Sequence, residues 1–111
     1  MMVRIYHNPR CSKSRQTLAL IEEQGITPDV IEYLDTPPTP QELKEILGML
    51  GMAPEDILRK KEAKEEGIAD LRGDALIGDL CAHPRAIERP IVVNGDKAAL
   101  GRPPESVLEI L

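Results

Sequence analysis

The sequence has no phenylalanine and no tryptophan, and its aromatic residues are Tyr6 and Tyr33 alone. The core is therefore expected to be aliphatic, and stacking surfaces for single-stranded nucleic acid are nearly absent. Cysteine is scarce too: Cys11 and Cys81 stand far apart, so no disulfide framework is expected. No apolar run approaches the ~20 residues of a membrane span. The opening MMVRIYHNPR lacks the apolar stretch of a signal peptide. These absences read as a cytoplasmic, reduced protein with no membrane partner. A net charge of −5 argues against general nucleic-acid binding. At 111 residues the chain can bury a core without disulfides or a structural metal, and reads as one domain over residues 1–111.

Acidic residues are missing from one stretch. Residues 1–21 hold no Asp or Glu but carry Arg4, Arg10, Lys13 and Arg15. Such a segment in an acidic protein marks either a local anion site or chance clustering of surface charge.

The pattern along the chain predicts a strand over Val3 to Tyr6 and a helix from about Ser12 to Glu23, stopped by Gly25. A second strand is expected over Asp29 to Leu34, giving a βαβ unit. Thr39-Pro40-Gln41-Glu42 reads as a capping box, and Leu43, Ile46, Leu47 and Leu50 form a helical stripe. Pro54 opens a short helical piece, and the EAKEEG stretch reads as solvated turn. Asp74 to Ala82 is a further helix, with Leu76, Ile77, Leu80 and Cys81 on its apolar face. Ile91 to Leu100 reads as a hairpin with Asn94–Gly95 in a type I′ turn, and a last helix starts at Pro103. The order β-α-β, helical middle, β-β-α is α/β of the thioredoxin-like kind, with a mixed four-stranded sheet. The helical insertion covers about residues 40–88.

Cys11 falls between the first strand and the first helix, where free backbone N–H groups and the helix dipole favour a thiolate. The same groups can bind an oxyanion. Ser14 stands where a dithiol motif needs a second cysteine, and Thr17 stands where a phosphate loop needs arginine. What remains is a single nucleophile working with an external thiol. A zinc site from His7, Cys11, Cys81 and His83 matches no familiar spacing, so no metal is expected.

The string His7-x3-Cys11-x3-Arg15, read as YHNPRCSKSR, resembles the active-site motif of the glutaredoxin-linked arsenate reductases. LRK at 58–60, HP at 83–84, RPIVV at 89–93 and GRP at 101–103 continue the resemblance in order. Longer members continue past the last helix, so the chain resembles the short, C-terminally truncated branch. The resemblance implies that Cys11 attacks arsenate or a similar oxyanion, which Arg59, Arg89 and Arg102 bind. It implies that Pro90 is the cis-proline of the fold. His7, Ser14 and Arg15 stand as supporting residues, with His7 either aiding the thiolate or purely structural. The implied reaction is reduction of arsenate to arsenite, with glutathione as co-substrate, glutaredoxin as partner and no bound cofactor. Two other functions fit the same chain: a thioredoxin-fold module that regulates RNA polymerase, and a monothiol reductase of glutathione mixed disulfides.

Overall fold

The computed structural model describes residues 2–111, and no helix among them is long and apolar enough to cross a membrane. The chain divides into two compact units. One joins the chain up to Thr36 with Arg89–Leu111, and the other is Pro37–Glu88.

In the first unit, β1 (Val3–His7), α1 (Ser12–Glu23) and β2 (Asp29–Glu32) form the βαβ unit, with β1 and β2 parallel. β3 (Ile91–Asn94) pairs antiparallel with the other side of β1, and β4 (Lys97–Leu100) pairs antiparallel with β3. The order β2-β1-β3-β4 is the mixed sheet of a thioredoxin-like fold. The central strands β1 and β3 are nearly continuous runs of buried residues, as strands covered on both faces require. Val3, Ile5, Ile21, Val92 and Val107 form the core cluster, with Leu18, Ile26 and Ala99 packed against it.

β1 runs one residue past the expected Tyr6, and three further features of this unit differ from the sequence expectation. β2 ends at Glu32, because the N–H groups of Asp35 and Thr36 both donate to the Glu32 carbonyl and turn the chain. The hairpin turn sits one residue later, with Asn94 paired to Lys97. Gly95 then takes the first central position at φ 64, and among the described residues only glycines have positive φ. Glycine first is the type II′ pattern rather than I′. The last helix is a 3-10 helix over Pro104–Ile110, anchored by buried Val107 and by Asn94 Nδ2, which donates to the Ile110 carbonyl (2.6 Å).

In the second unit, α2 (Pro40–Leu50) starts with the expected capping box. Glu42 N–H donates to Thr39 Oγ1 and Thr39 N–H to Glu42 Oε1, both at 3.1 Å. A 3-10 turn follows at Pro54–Ile57, and α4 (Gly73–Ala82) packs against α2. The stretch expected as solvated turn is instead a helix, α3 (Lys60–Glu66). Its Lys, Glu and Ala residues are good helix formers, although they lack an apolar stripe. Ala63 is its buried contact, and a Schellman close ends it: Ile68 N–H donates to Ala63 O and Gly67 N–H to Lys64 O. An isolated bridge pairs Leu58 with Ile87, flanked by Arg59 N–H to Ala86 O (2.8 Å) and Glu88 N–H to Ile57 O (2.7 Å).

Gly101 closes β4 against α1. Its N–H donates to the Pro90 carbonyl (2.9 Å). A Cβ there would lie 2.7 Å from Pro90 Cγ and nearer still to Thr17 Oγ1. Gly101→Ala is therefore expected to lower stability by about 1–3 kcal/mol, the usual cost of overpacking. The readout is a lower urea midpoint at unchanged slope, and an unmoved midpoint would show that the contact relaxes freely.

Candidate active site

The segment from Asn8 to Cys11 joins β1 to α1, and each of its turns is tied down. Asn8 N–H donates to Ser14 Oγ (3.0 Å), and Asn8 Oδ1 accepts from Arg10 N–H (3.0 Å). Cys11 N–H donates to the Asn8 carbonyl (3.0 Å), and Arg15 Nη1 holds the Pro9 carbonyl (2.9 Å). The side-chain oxygen of Asn8 thus closes an Asx turn directly before the nucleophile. Sequence reasoning missed this role, and the available signal was asparagine before proline at a strand end.

Cys11 is the N-cap of α1 and is partly exposed. Burial pushes its thiol up. The Ser14 N–H, the Arg89 side chain and the Lys13 N–H outweigh this by donating toward the sulfur, and the Arg89 charge adds to them. The net direction is down from the ordinary thiol range, as the helix start predicted.

His7 is buried, and its Nδ1 bonds Ser14 Oγ at 2.6 Å. Burial lowers the imidazole pKa, Glu32 opposes this and Arg15 adds to it. The ring is therefore neutral at pH 7 and acts on the loop through Ser14, not as a cation. Ser14 and Thr17 are themselves fully buried on α1, the one by its bonds to His7 and Asn8, the other by donating to the Lys13 carbonyl (2.8 Å).

Two of the three expected arginines lie together. Arg89 donates to the Cys11 sulfur, and Arg102 Nε donates to the Arg89 carbonyl (3.0 Å). The Arg89–Pro90 peptide is cis, and so is Arg102–Pro103. Arg59 belongs to the second unit, where Glu62 holds its Nε and Glu88 its Nη1. Burial works against its charge and the two carboxylates more than restore it, so its pKa is raised.

Residues 6–110 match the ArsC family. The chain belongs to that family. It is 47% identical over its full length to an arsenate reductase of Haemophilus influenzae, all of which it covers. It is 50% identical to an uncharacterized Escherichia coli protein, over 98% of this chain and 96% of that one. The solved structure of an arsenate reductase from Vibrio cholerae superposes with a TM-score of 0.91 at 52% identity, over 100% of this chain and 98% of that one.

The second cysteine of this ArsC chain differs from its sequence expectation. α4 buries Leu76, Ile77 and Leu80, whereas Cys81 at its end stays partly exposed. Burial, and then the charge of Glu42, pushes the Cys81 thiol up. It is thus a poor nucleophile beside Cys11.

The Cys11 pKa is lower in the folded chain than in the unfolded one. Its contribution to stability is therefore present above the unfolded value and lost as pH falls through the folded one. The rate of Cys11 alkylation by iodoacetamide should rise with a midpoint below ~8.5, the unperturbed thiol value. Arg89→Gln should move that midpoint up. A wild-type midpoint at or above the ordinary value would remove the thiolate from the site.

Proposed function

We propose that this protein reduces arsenate to arsenite in the cytoplasm, with Cys11 as nucleophile, glutathione as co-substrate and glutaredoxin as partner. One observation carries the reading: in an ArsC-family chain, Cys11 caps a helix, receives a bond from Arg89 and has its pKa lowered. The nearby Arg102 offers a second guanidinium, and Arg59 is the third oxyanion ligand in this reading. A forked donor suits a tetrahedral oxyanion, and its charge offsets that of the adduct.

The chemistry balances as follows. The Cys11 thiolate forms a bond to arsenic, and one arsenic–oxygen bond breaks to release water after protonation. Arsenic remains pentavalent. A glutathione thiolate then attacks the Cys11 sulfur, and the sulfur–arsenic bonding pair goes to arsenic, which leaves as trivalent arsenite. The Cys11–glutathione disulfide is reduced by glutaredoxin, which takes the glutathionyl group and is regenerated by a second glutathione. One arsenate and two glutathione molecules give one arsenite, one glutathione disulfide and one water. Ser14 supports the external route, because no second thiol stands in the motif. His7 and Arg15 hold the loop in place, and Pro90 follows the arginine that meets the sulfur.

The test is arsenate-dependent NADPH consumption with glutathione, glutathione reductase and glutaredoxin. Cys11→Ser is expected to abolish it, and Cys81→Ser to retain it. Arg89→Lys keeps the charge but loses the fork, so the KM for arsenate should rise. Consumption that needs a glutathione mixed disulfide instead of arsenate would replace this reading with a monothiol reductase. A Cys11–Cys81 disulfide sustained by thioredoxin alone would overturn the external-thiol route.

A further inference from the structure

A cavity of about 270 Å³ opens on the β2 side of the Cys11 loop. His7, Pro9 and Arg10 line it from the loop, and Glu32, Leu34 and Asp35 from the end of β2. Its charges are of both signs. Among the described residues, Arg10, Glu32 and Asp35 make no ion pair, yet all three converge on one space. The neutral His7 ring, Asn8 and the apolar Pro9 and Leu34 complete the wall.

This lining is wrong for arsenate, since two carboxylates repel a dianion at close range. It also differs from the Cys11–Arg89–Arg102 cluster, whose named side chains other than the thiol are cationic. A group carrying an ammonium and a carboxylate side by side satisfies both signs. The ammonium meets Glu32 and Asp35, and the carboxylate meets Arg10. That group is the head of an α-amino acid. Arg10 is joined to Cys11 by one peptide, which sets their Cα atoms ~3.8 Å apart. A molecule held by its head in the cavity can therefore extend a short arm to the nucleophile.

We propose that this cavity is the subsite for the thiol co-substrate, selecting thiols whose far end is an α-amino acid, as in the γ-glutamyl end of glutathione. The inference rests on the reading that an external thiol resolves the arsenic–sulfur adduct. Arg10 and the two carboxylates position that thiol and take no part in the bond changes.

Two experiments separate the inference from the function it rests on. The first is a binding titration of the wild-type protein with S-methylglutathione, which cannot react, followed by NMR. Shifts are expected at His7, Leu34 and Asp35, and a Glu32→Gln, Asp35→Asn double variant should weaken binding roughly tenfold. S-methylcysteinylglycine lacks the γ-glutamyl head and should leave those three residues unmoved. The second experiment is turnover. The double variant should raise the KM for glutathione by a similar factor, with the KM for arsenate unchanged. With mercaptoethanol as the thiol, wild type and variant should run equally, which shows that the variant is folded and its Cys11 competent. An S-methylglutathione footprint confined to Arg89 and Arg102, or a glutathione KM that ignores both substitutions, overturns the subsite. Absence of arsenate turnover with every thiol overturns the proposed function instead, and the titration still decides the cavity.

Discussion

The Ser14 hydroxyl joins three parts of the first unit at one atom. It bonds the Nδ1 of His7 at the end of β1 and accepts the N–H of Asn8 at the start of the loop. It also stands on the first turn of α1, whose free N–H groups face the Cys11 sulfur. A buried hydroxyl without partners is costly, so the oxygen locks its surroundings as it is satisfied. Strand end, loop and helix start are fixed together, and the direction in which Cys11 presents its sulfur follows. A serine at this position thus does two things. It removes the second thiol that an internal disulfide needs, and it builds the turn that makes the remaining thiol acidic.

The charges around this turn divide the work. Arg89 acts on the sulfur and carries Arg102 through its own carbonyl. Arg15 spends its guanidinium on the Pro9 carbonyl and so acts on geometry. Arg10 lines the neighbouring cavity together with Glu32 and Asp35. The basic run at the start of the sequence is therefore not one undifferentiated anion patch. Arg15 is bound to a backbone carbonyl while Arg10 faces a cavity, and only the fold assigns these places.

In the second unit the same logic holds for Arg59. The bridge between Leu58 and Ile87 brings Glu88 to the arginine across a gap of twenty-nine positions, and α3 supplies Glu62 one turn on. Both carboxylates keep the guanidinium charged and oriented. An oxyanion drawn to Arg59 has to compete with them or use the remaining Nη2 edge.

The sequence by itself determined the strands and helices with strong local signals. The capping box at Thr39, the αL glycine at Gly51 and the stripe of Leu43, Ile46 and Leu47 are interactions between residues a few positions apart. The position of Cys11 at a helix start is equally local, and so is the share of its lowered pKa that comes from the Ser14 and Lys13 N–H groups. Elements without such signals were missed: α3 has one buried alanine and no stripe, and the hairpin turn could place glycine first or second. Only the tertiary structure decided which polar groups meet. The His7–Ser14 bond needs β1 packed on α1, the meeting of Arg89 with Cys11 needs β3 laid beside β1, and the Gly101 contact needs β4 closed on Thr17 and Pro90. The His7–Ser14 pair is only seven positions apart but spans a strand end, a loop and a helix start, and the Arg89–Cys11 and Gly101–Thr17 contacts join residues far apart in the chain. No local periodicity encodes them, because each depends on how whole elements pack once their apolar faces are buried.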